Sequence, residues 1–547
     1  MTLVKSFFNW FLNTPKSLKI LIFISLIFQF IYFLYVPICF ECDAATYYNY
    51  AKAFVLYPGA YVNFDRPPLY PLILFLSGSV IPGSFIGIFL IQFFTGIISV
   101  IVFYKILNFF LNNFFSSIFT FFFIFSGIAF VYSKLILAEH LYLLSMLISF
   151  YFFIKIFFKN DEPKSISFFY LATLISTLIR WESLIIFIIG SIFLILYFLR
   201  NLIHLKKTLL LILVFSTTLF TLTILKAIVK KDISYVGSLT ERSGQQLFWT
   251  MYRVEIDFAK ETCDSNKTLC EMLSLSGHMN STGQTLINKN NGEYSLIFYE
   301  TLIKEIAKDP SKTHLYKKNY DKDEYYRLYG KYEGDPKGLV DNMFNSDARD
   351  RVGRYWTFIV PFLENKIGKI EAHSLLKNVA KEAFLANPVI LFKFFDKSLY
   401  WLGINFNGVL TNKDYFHNLF RITEYIDAPF NLADCAKNSL SEHLFSEYKL
   451  DRFIYEKLNY VDDFKKISST MRNIIRCIFG VAFVFILFLI IFCKKRVRIQ
   501  LLFFSSILCG SIFLLVIFSG GTRQEVLTIP VMILVTSIFL SNFIPRK

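Results

Sequence analysis

Long apolar runs alternate with short polar breaks along most of this chain, and one large polar insertion interrupts the pattern near its middle. The runs fall at about 17–40, 85–107, 113–133, 138–158, 166–180, 183–199, 208–228, 473–493, 499–519 and 526–544. A helix of roughly twenty residues crosses the hydrocarbon of a bilayer, so the pattern predicts ten transmembrane helices. Each must be a helix because lipid offers the backbone no hydrogen-bond partner. The first run is too long for a signal-peptide core and ends in no small-residue cleavage site, so it reads as a retained anchor. The expected fold is an all-α polytopic membrane protein with a large external, mainly α domain. Its parts are an N-terminal transmembrane domain (1–229) whose first outer loop is 41–84, the external domain (230–472), and C-terminal transmembrane helices (473–547).

Composition agrees with this. The 547 residues are 55% hydrophobic and include 66 Phe, more apolar surface than a soluble protein of that length buries. The net charge of +16 raises the question of nucleic acid, and its distribution answers it. With both termini cytoplasmic, alternation puts Lys105, Lys155, Arg200, Lys206, Lys207 and the run Lys494-Lys495-Arg496 on the inner side, opposed there only by Asp161 and Glu162. This is the positive-inside pattern. The bias toward Phe, Ile, Lys and Asn suits an AT-rich bacterial genome and an inner (plasma) membrane, with the large domain periplasmic or extracellular.

Within the insertion, Asn387 to Phe406 is apolar, but Lys393, Asp396 and Lys397 sit in its middle. It reads as an interfacial amphipathic helix. Cys39 and Cys42 stand as a C-x-x-C pair, but no second such pair or His/Cys spacing completes a zinc site. Asn266 and Asn280 stand in Asn-x-Ser/Thr triplets.

Projected onto this topology, the unusual polar residues fall on one face. Glu41, Asp43, Asp65 and Arg66 lie in the first outer loop, and Lys134, Glu139 and His140 at the second outer turn. Arg180 and Glu182 mark the third, and Arg523 and Glu525 the last. Ionisable residues near the hydrocarbon boundary are costly and mark function by default. A carboxylate can take a proton from a hydroxyl, and arginine and lysine can hold a phosphate oxyanion. A membrane-level cleft suits a substrate with a lipid tail and a charged head. Together these parts fit group transfer from a lipid phosphate to an external acceptor. Tyr47, Tyr48, Tyr50, Tyr57, Tyr61 and Tyr70 serve equally as an interfacial aromatic belt or as a platform for sugar.

Several blocks, taken in order, resemble the polyprenyl-phosphate-sugar-dependent glycosyltransferases of the GT-C superfamily, in the family 39-like group of protein O-mannosyltransferases and aminoarabinose transferases. "DAATYYNYAKAF" with "DRPPLYPLILFL" looks like that family's first outer loop, "YSKLILAEHLYLL" its second outer turn and "STLIRWESLIIF" its arginine-glutamate turn. "GSLTERSGQQLFW" and "EAFLANPVILFKFFDKSLYW" resemble parts of its external domain, and "GGTRQEVLTIPVMILV" its last outer turn and final helix. The resemblance implies a sugar donor on polyprenyl monophosphate, a hydroxyl acceptor on protein, lipid or glycan, and a lid-like external domain. It implies Asp43 as the base and Arg66, Lys134, Arg180 and Arg523 as contacts to the donor phosphate. Many members carry Asp-Glu where this chain has Asp43-Ala44, which makes Glu41 and Asp65 candidate auxiliaries. No cofactor is assigned, a divalent cation being the candidate, with Glu139 and His140 as its site. An oligosaccharyltransferase would carry a Trp-Trp-Asp motif, and the chain has no Trp-Trp pair. A lipid-linked glycan polymerase or ligase remains an alternative. A transporter would place ionisable groups in mid-span, whereas here they sit at the outer ends.

Overall fold

The structure, a computed structural model, describes residues 14–35, 42–56, 66–81, 83–130, 136–158, 162–199, 201–230, 360–386, 495–517 and 525–541, with single positions elsewhere. The described elements are all helical. In chain order they are α1 (Lys16–Tyr35), α2 (Cys42–Leu56), α3 (Leu69–Leu76), α4 (Ile86–Leu107), α5 (Asn113–Phe125), α6 (Glu139–Phe158) and α7 (Glu162–Ile179). A 3-10 turn at Trp181–Ser183 follows, then α8 (Leu184–Phe198), α9 (Leu202–Lys230), α10 (Val360–Ile367), α11 (Lys369–Ala386), α12 (Lys495–Ile517) and α13 (Glu525–Leu540). Four stretches among the described residues are long and apolar enough to cross a membrane: Ile86–Leu107, Glu139–Phe158, Trp181–Phe198 and Leu202–Leu225. Of the predicted span at 473–493 only isolated positions are described, among them the buried Ile475, Phe479 and Ile486; the interfacial helix at 387–406 lies outside the described residues.

The chain divides into two compact units, one of Met1–Leu239, Ile422–Ile512 and Gly521–Lys547, the other of Thr240–Arg421 and Phe513–Gly520. In the second unit, α10 and α11 pack together through Gly368, whose φ of 86° suits a residue without Cβ. His373 meets Glu364 there at 2.7 Å.

In the first unit α6 packs against α4 and α7, and α13 packs on α4, α5 and α6. Leu527, Ile529, Val531, Met532, Leu534 and Ile538 of α13 are all buried, so this helix is apolar all round because protein surrounds it. By contrast α8 and α9 expose Ile188, Ile192, Leu196, Leu210 and Leu213. Such a face is ordinary against lipid and a liability in water. Apolar surroundings supply little hydrophobic drive between helices, so association rests on close packing. Phenylalanine provides it: Phe153 stacks on Phe503 with centroids 3.6 Å apart, and Phe187 on Phe215 at 3.7 Å.

Two sequence expectations change. The first outer loop, 41–84, carries two helices, α2 and α3, packed on each other. The run at 113–133 is helical only to Phe125. Asn112 caps α5 by accepting the Phe115 N–H at 3.1 Å, and Ser126 with Gly127 (φ 78°) ends it. Ile128, Ala129 and Phe130 are apolar because they are buried in a turn, and hydropathy alone does not separate a buried turn from a span.

That turn is received by α4. Gly96 lets the Ala129 carbonyl approach so closely that a Cβ would collide with it and with the amide of Gln29 from α1. Gln29 is fully buried. Its amide satisfies its neighbours when Nε2 donates to the Phe93 carbonyl at 2.7 Å and Oε1 accepts from the Ile97 N–H at 3.1 Å. Gly96→Val should therefore destabilise the protein by roughly 1–3 kcal/mol through overpacking. A lowered melting temperature in detergent checks this, with Gly83→Ala as a reference for strain without collision, since open space surrounds that glycine.

Candidate functional site

The site is built where three segments distant in sequence meet. Tyr47 of α2 and Tyr70 of α3 meet edge to face, with centroids 4.9 Å apart, and Phe54 stacks on Phe75 at 5.9 Å. Tyr70 is fully buried, and its hydroxyl accepts from Gln92 Nε2 of α4 at 3.1 Å. The same Nε2 donates to the Leu137 carbonyl at 3.1 Å. Burial first, then the charges of Glu139 and Tyr47, raise the Tyr70 phenol well above its ordinary pKa, so it remains a neutral O–H group. Arg66, just before the rigid Pro67-Pro68 pair, lies over the Tyr47 ring at 5.9 Å.

The second and third segments join through Arg180. The chain leaves α7 at Arg180 in an extended conformation (φ −148°, ψ 130°). Its N–H still bonds the Ser176 carbonyl at 2.8 Å, and the Ser176 and Ser183 hydroxyls meet at 2.5 Å, which pins the 3-10 turn to the helix it follows. The guanidinium then reaches two carboxylates. Nη1 donates to Glu139 Oε1 at 2.6 Å, while Nη2 and Nε donate to Glu182 Oε1 and Oε2 at 2.6 and 3.2 Å. Glu139 opens α6 with its side chain only 3% exposed, whereas Glu182 is 30% exposed. Tyr142, one turn further along α6, lies beneath the guanidinium at 5.5 Å.

Electrostatics bind these segments into one group. The Arg66 charge is felt at Glu182, and Tyr47 lies within the field of Arg180. Two arginines and two glutamates thus share the region where α2, α3, α6 and the 3-10 turn converge.

No family model matches the chain, and neither a curated protein nor a solved structure matches it.

Among the residues singled out from sequence, the structure brings together Arg66, Glu139 and Arg180. It places Asp43 in the first turn of α2, one turn before Tyr47; the Asp43 side chain lies outside the described part. Glu41, Asp65, Lys134 and Arg523 also lie outside it. His140 is fully buried and turns toward the backbone of Ile128 and Ala129, within reach of polar contact. It thereby serves the same turn that Gly96 admits. Among the described residues no three His, Cys, Asp or Glu side chains converge on a metal position. Gln92, Tyr142 and Trp181 were not singled out. Gln92 could have been, as an amide inside an otherwise apolar run; the two aromatic residues carry no such signal in a chain this rich in them.

Removing one member of a buried ion pair leaves a charge unpaired, which costs more than the pair contributes. Arg180→Ala should destabilise the protein by roughly 3–5 kcal/mol. Arg180→Lys should recover only part of this, because an ammonium lacks the planar fork. In a double-mutant cycle with Glu139→Gln, measured by thermal or denaturant unfolding in detergent, the double variant should lose less than the sum of the singles.

Proposed function

We propose that this chain is a membrane glycosyltransferase of GT-C-like architecture with about ten spans, and that it transfers a sugar from a polyprenyl-phosphate donor to a hydroxyl acceptor on the external face. The observation that carries this reading is the convergence of the first outer segment with Glu139 and the Arg180–Glu182 turn. Those segments are distant in sequence and share only their predicted place on the outer face. A group of carboxylates, guanidinia and tyrosines at the ends of apolar helices suits a substrate that is sugar at one end and lipid at the other.

In this reading the acceptor hydroxyl gives its proton to Asp43 as its oxygen attacks the anomeric carbon. The bond from that carbon to the phosphate oxygen breaks, and polyprenyl phosphate departs with the electron pair. Arg66 stands in the segment that follows the Asp43 helix and meets the phosphate, joined by Lys134 and Arg523. A guanidinium suits this because it presents paired N–H donors to an oxyanion. Arg180 has three of its N–H groups on carboxylates, so its part in the site runs through Glu139 and Glu182.

Asp43→Asn keeps the shape of the side chain and removes the base, so transfer should fall about 10²–10⁴-fold with membrane insertion and expression unchanged. Lipid analysis of a deletion strain supplies the substrate: one polyprenyl-phosphate sugar should accumulate. Near-normal transfer by Asp43→Asn would remove Asp43 from its role. A transport defect without lipid accumulation would favour a carrier.

A further inference from the structure

Around Arg180, the buried polar atoms with no hydrogen-bond partner among the described residues include Glu139 Oε2, Trp181 Nε1 and the Tyr142 hydroxyl. Glu139 is 2% exposed, and a charged oxygen shut away from water without a donor carries its full desolvation penalty. None of the described residues supplies that donor. Arg180 gives Glu139 a single bond, to Oε1, and directs its other two bonds to Glu182. Glu139 is therefore held in place by one oxygen with the second left over. A buried atom left over in this way is accounted for by a water, an ion, strain or a functional role, and a bound group is the functional case.

The charge of the group selects the ligand. Glu139, Arg180 and Glu182 carry one more carboxylate than guanidinium, with Arg66 the balancing charge from the first segment, so the carboxylate oxygen at Glu139 itself disfavours a phosphate and favours hydrogen-bond donors. An indole N–H and a carboxylate oxygen together offer one donor and one acceptor, a complement to sugar hydroxyls. The rings of Tyr142 and Tyr47 lie in the same group. Building on the glycosyl-transfer reading, we infer that Glu139 Oε2 and Trp181 Nε1 hold ring hydroxyls of the donor's sugar, and that Arg180 is the positioning residue that keeps Glu139 ready for them. The donor is then divided in two, its phosphate on the Arg66 side and its sugar on the Glu139 side.

The test is binding by the full-length protein in nanodiscs. The probes are bare polyprenyl phosphate, polyprenyl-phosphate glucose, mannose and galactose, and the monodeoxy forms of the best of these. At least one hexose lipid should bind about 10-fold or more tighter than the bare phosphate. One monodeoxy form of it should lose roughly 10–100-fold, the scale of a hydrogen bond to a charged group. Glu139→Gln should lose affinity for the hexose lipid, become nearly indifferent to that deoxygenation, and bind the bare phosphate as the wild type does. Trp181→Phe, which removes only the N–H donor and keeps an aromatic ring, should weaken the hexose lipid and spare the bare one.

The inference is overturned if every monodeoxy lipid binds the wild type as well as its parent, a comparison that needs no variant to fold. It is also overturned if Glu139→Gln weakens bare and sugar-bearing lipids alike, since that marks a purely structural carboxylate. If neither kind of lipid binds the wild type, the glycosyl-transfer reading itself fails and this inference falls with it.

Discussion

Polar groups in apolar surroundings must find their partners inside the chain, and the rest of this structure depends on that constraint. Helices meet it segment by segment. The irregular, buried stretch after α5 meets it only in part on its own, with the Gly127 and Phe130 carbonyls bonded within the turn. The protein answers with single residues from other helices. Gln92 donates to the Leu137 carbonyl, His140 faces the backbone of Ile128 and Ala129, and Gly96 makes space for the Ala129 carbonyl. Non-helical backbone at such depth is stable only when protein encloses it, and here that enclosure delivers the first residue of α6, Glu139, to the site.

The same constraint applies with greater force to charge. A carboxylate as buried as Glu139 needs a cation, and Arg180 reaches it only because α7 ends one residue earlier and the chain turns extended. The guanidinium fork lets one cation address two carboxylates in different directions. That geometry couples the start of α6 to the start of α8. Through the field of Arg66 and the edge-to-face pair Tyr47–Tyr70, it extends to α2 and α3. Positions more than a hundred residues apart thus become one electrostatic unit.

Much of the helical framework was legible in the hydropathy pattern. The expected runs at 85–107, 138–158 and 183–199 correspond to α4, α6 and α8 within a few residues, since twenty apolar residues in lipid have one backbone solution. Arg66, Glu139, Arg180 and Glu182 stood out because charges gather at the ends of such runs. The turn at 126–130 and the helices α2 and α3 were not legible. Ile128, Ala129 and Phe130 look like span residues by hydropathy, and the tyrosines of α2 carry too little apolar periodicity to announce a helix beside the membrane.

By itself the sequence determined that the chain is built from apolar helices and where its charges collect, because the energies of a peptide group and of an ion in hydrocarbon depend on residue type. Only the tertiary structure decided which charges meet. Arg180 is adjacent in sequence to Glu182 and Trp181 but forty-one residues from Glu139, and nothing in either local stretch says that one oxygen of Glu139 is held while the other is left over. That outcome depends on the crossing of α6 and α7 and on the angle at which the chain leaves α7. Those are set by packing between helices, and packing is a property of pairs of segments that no single segment encodes.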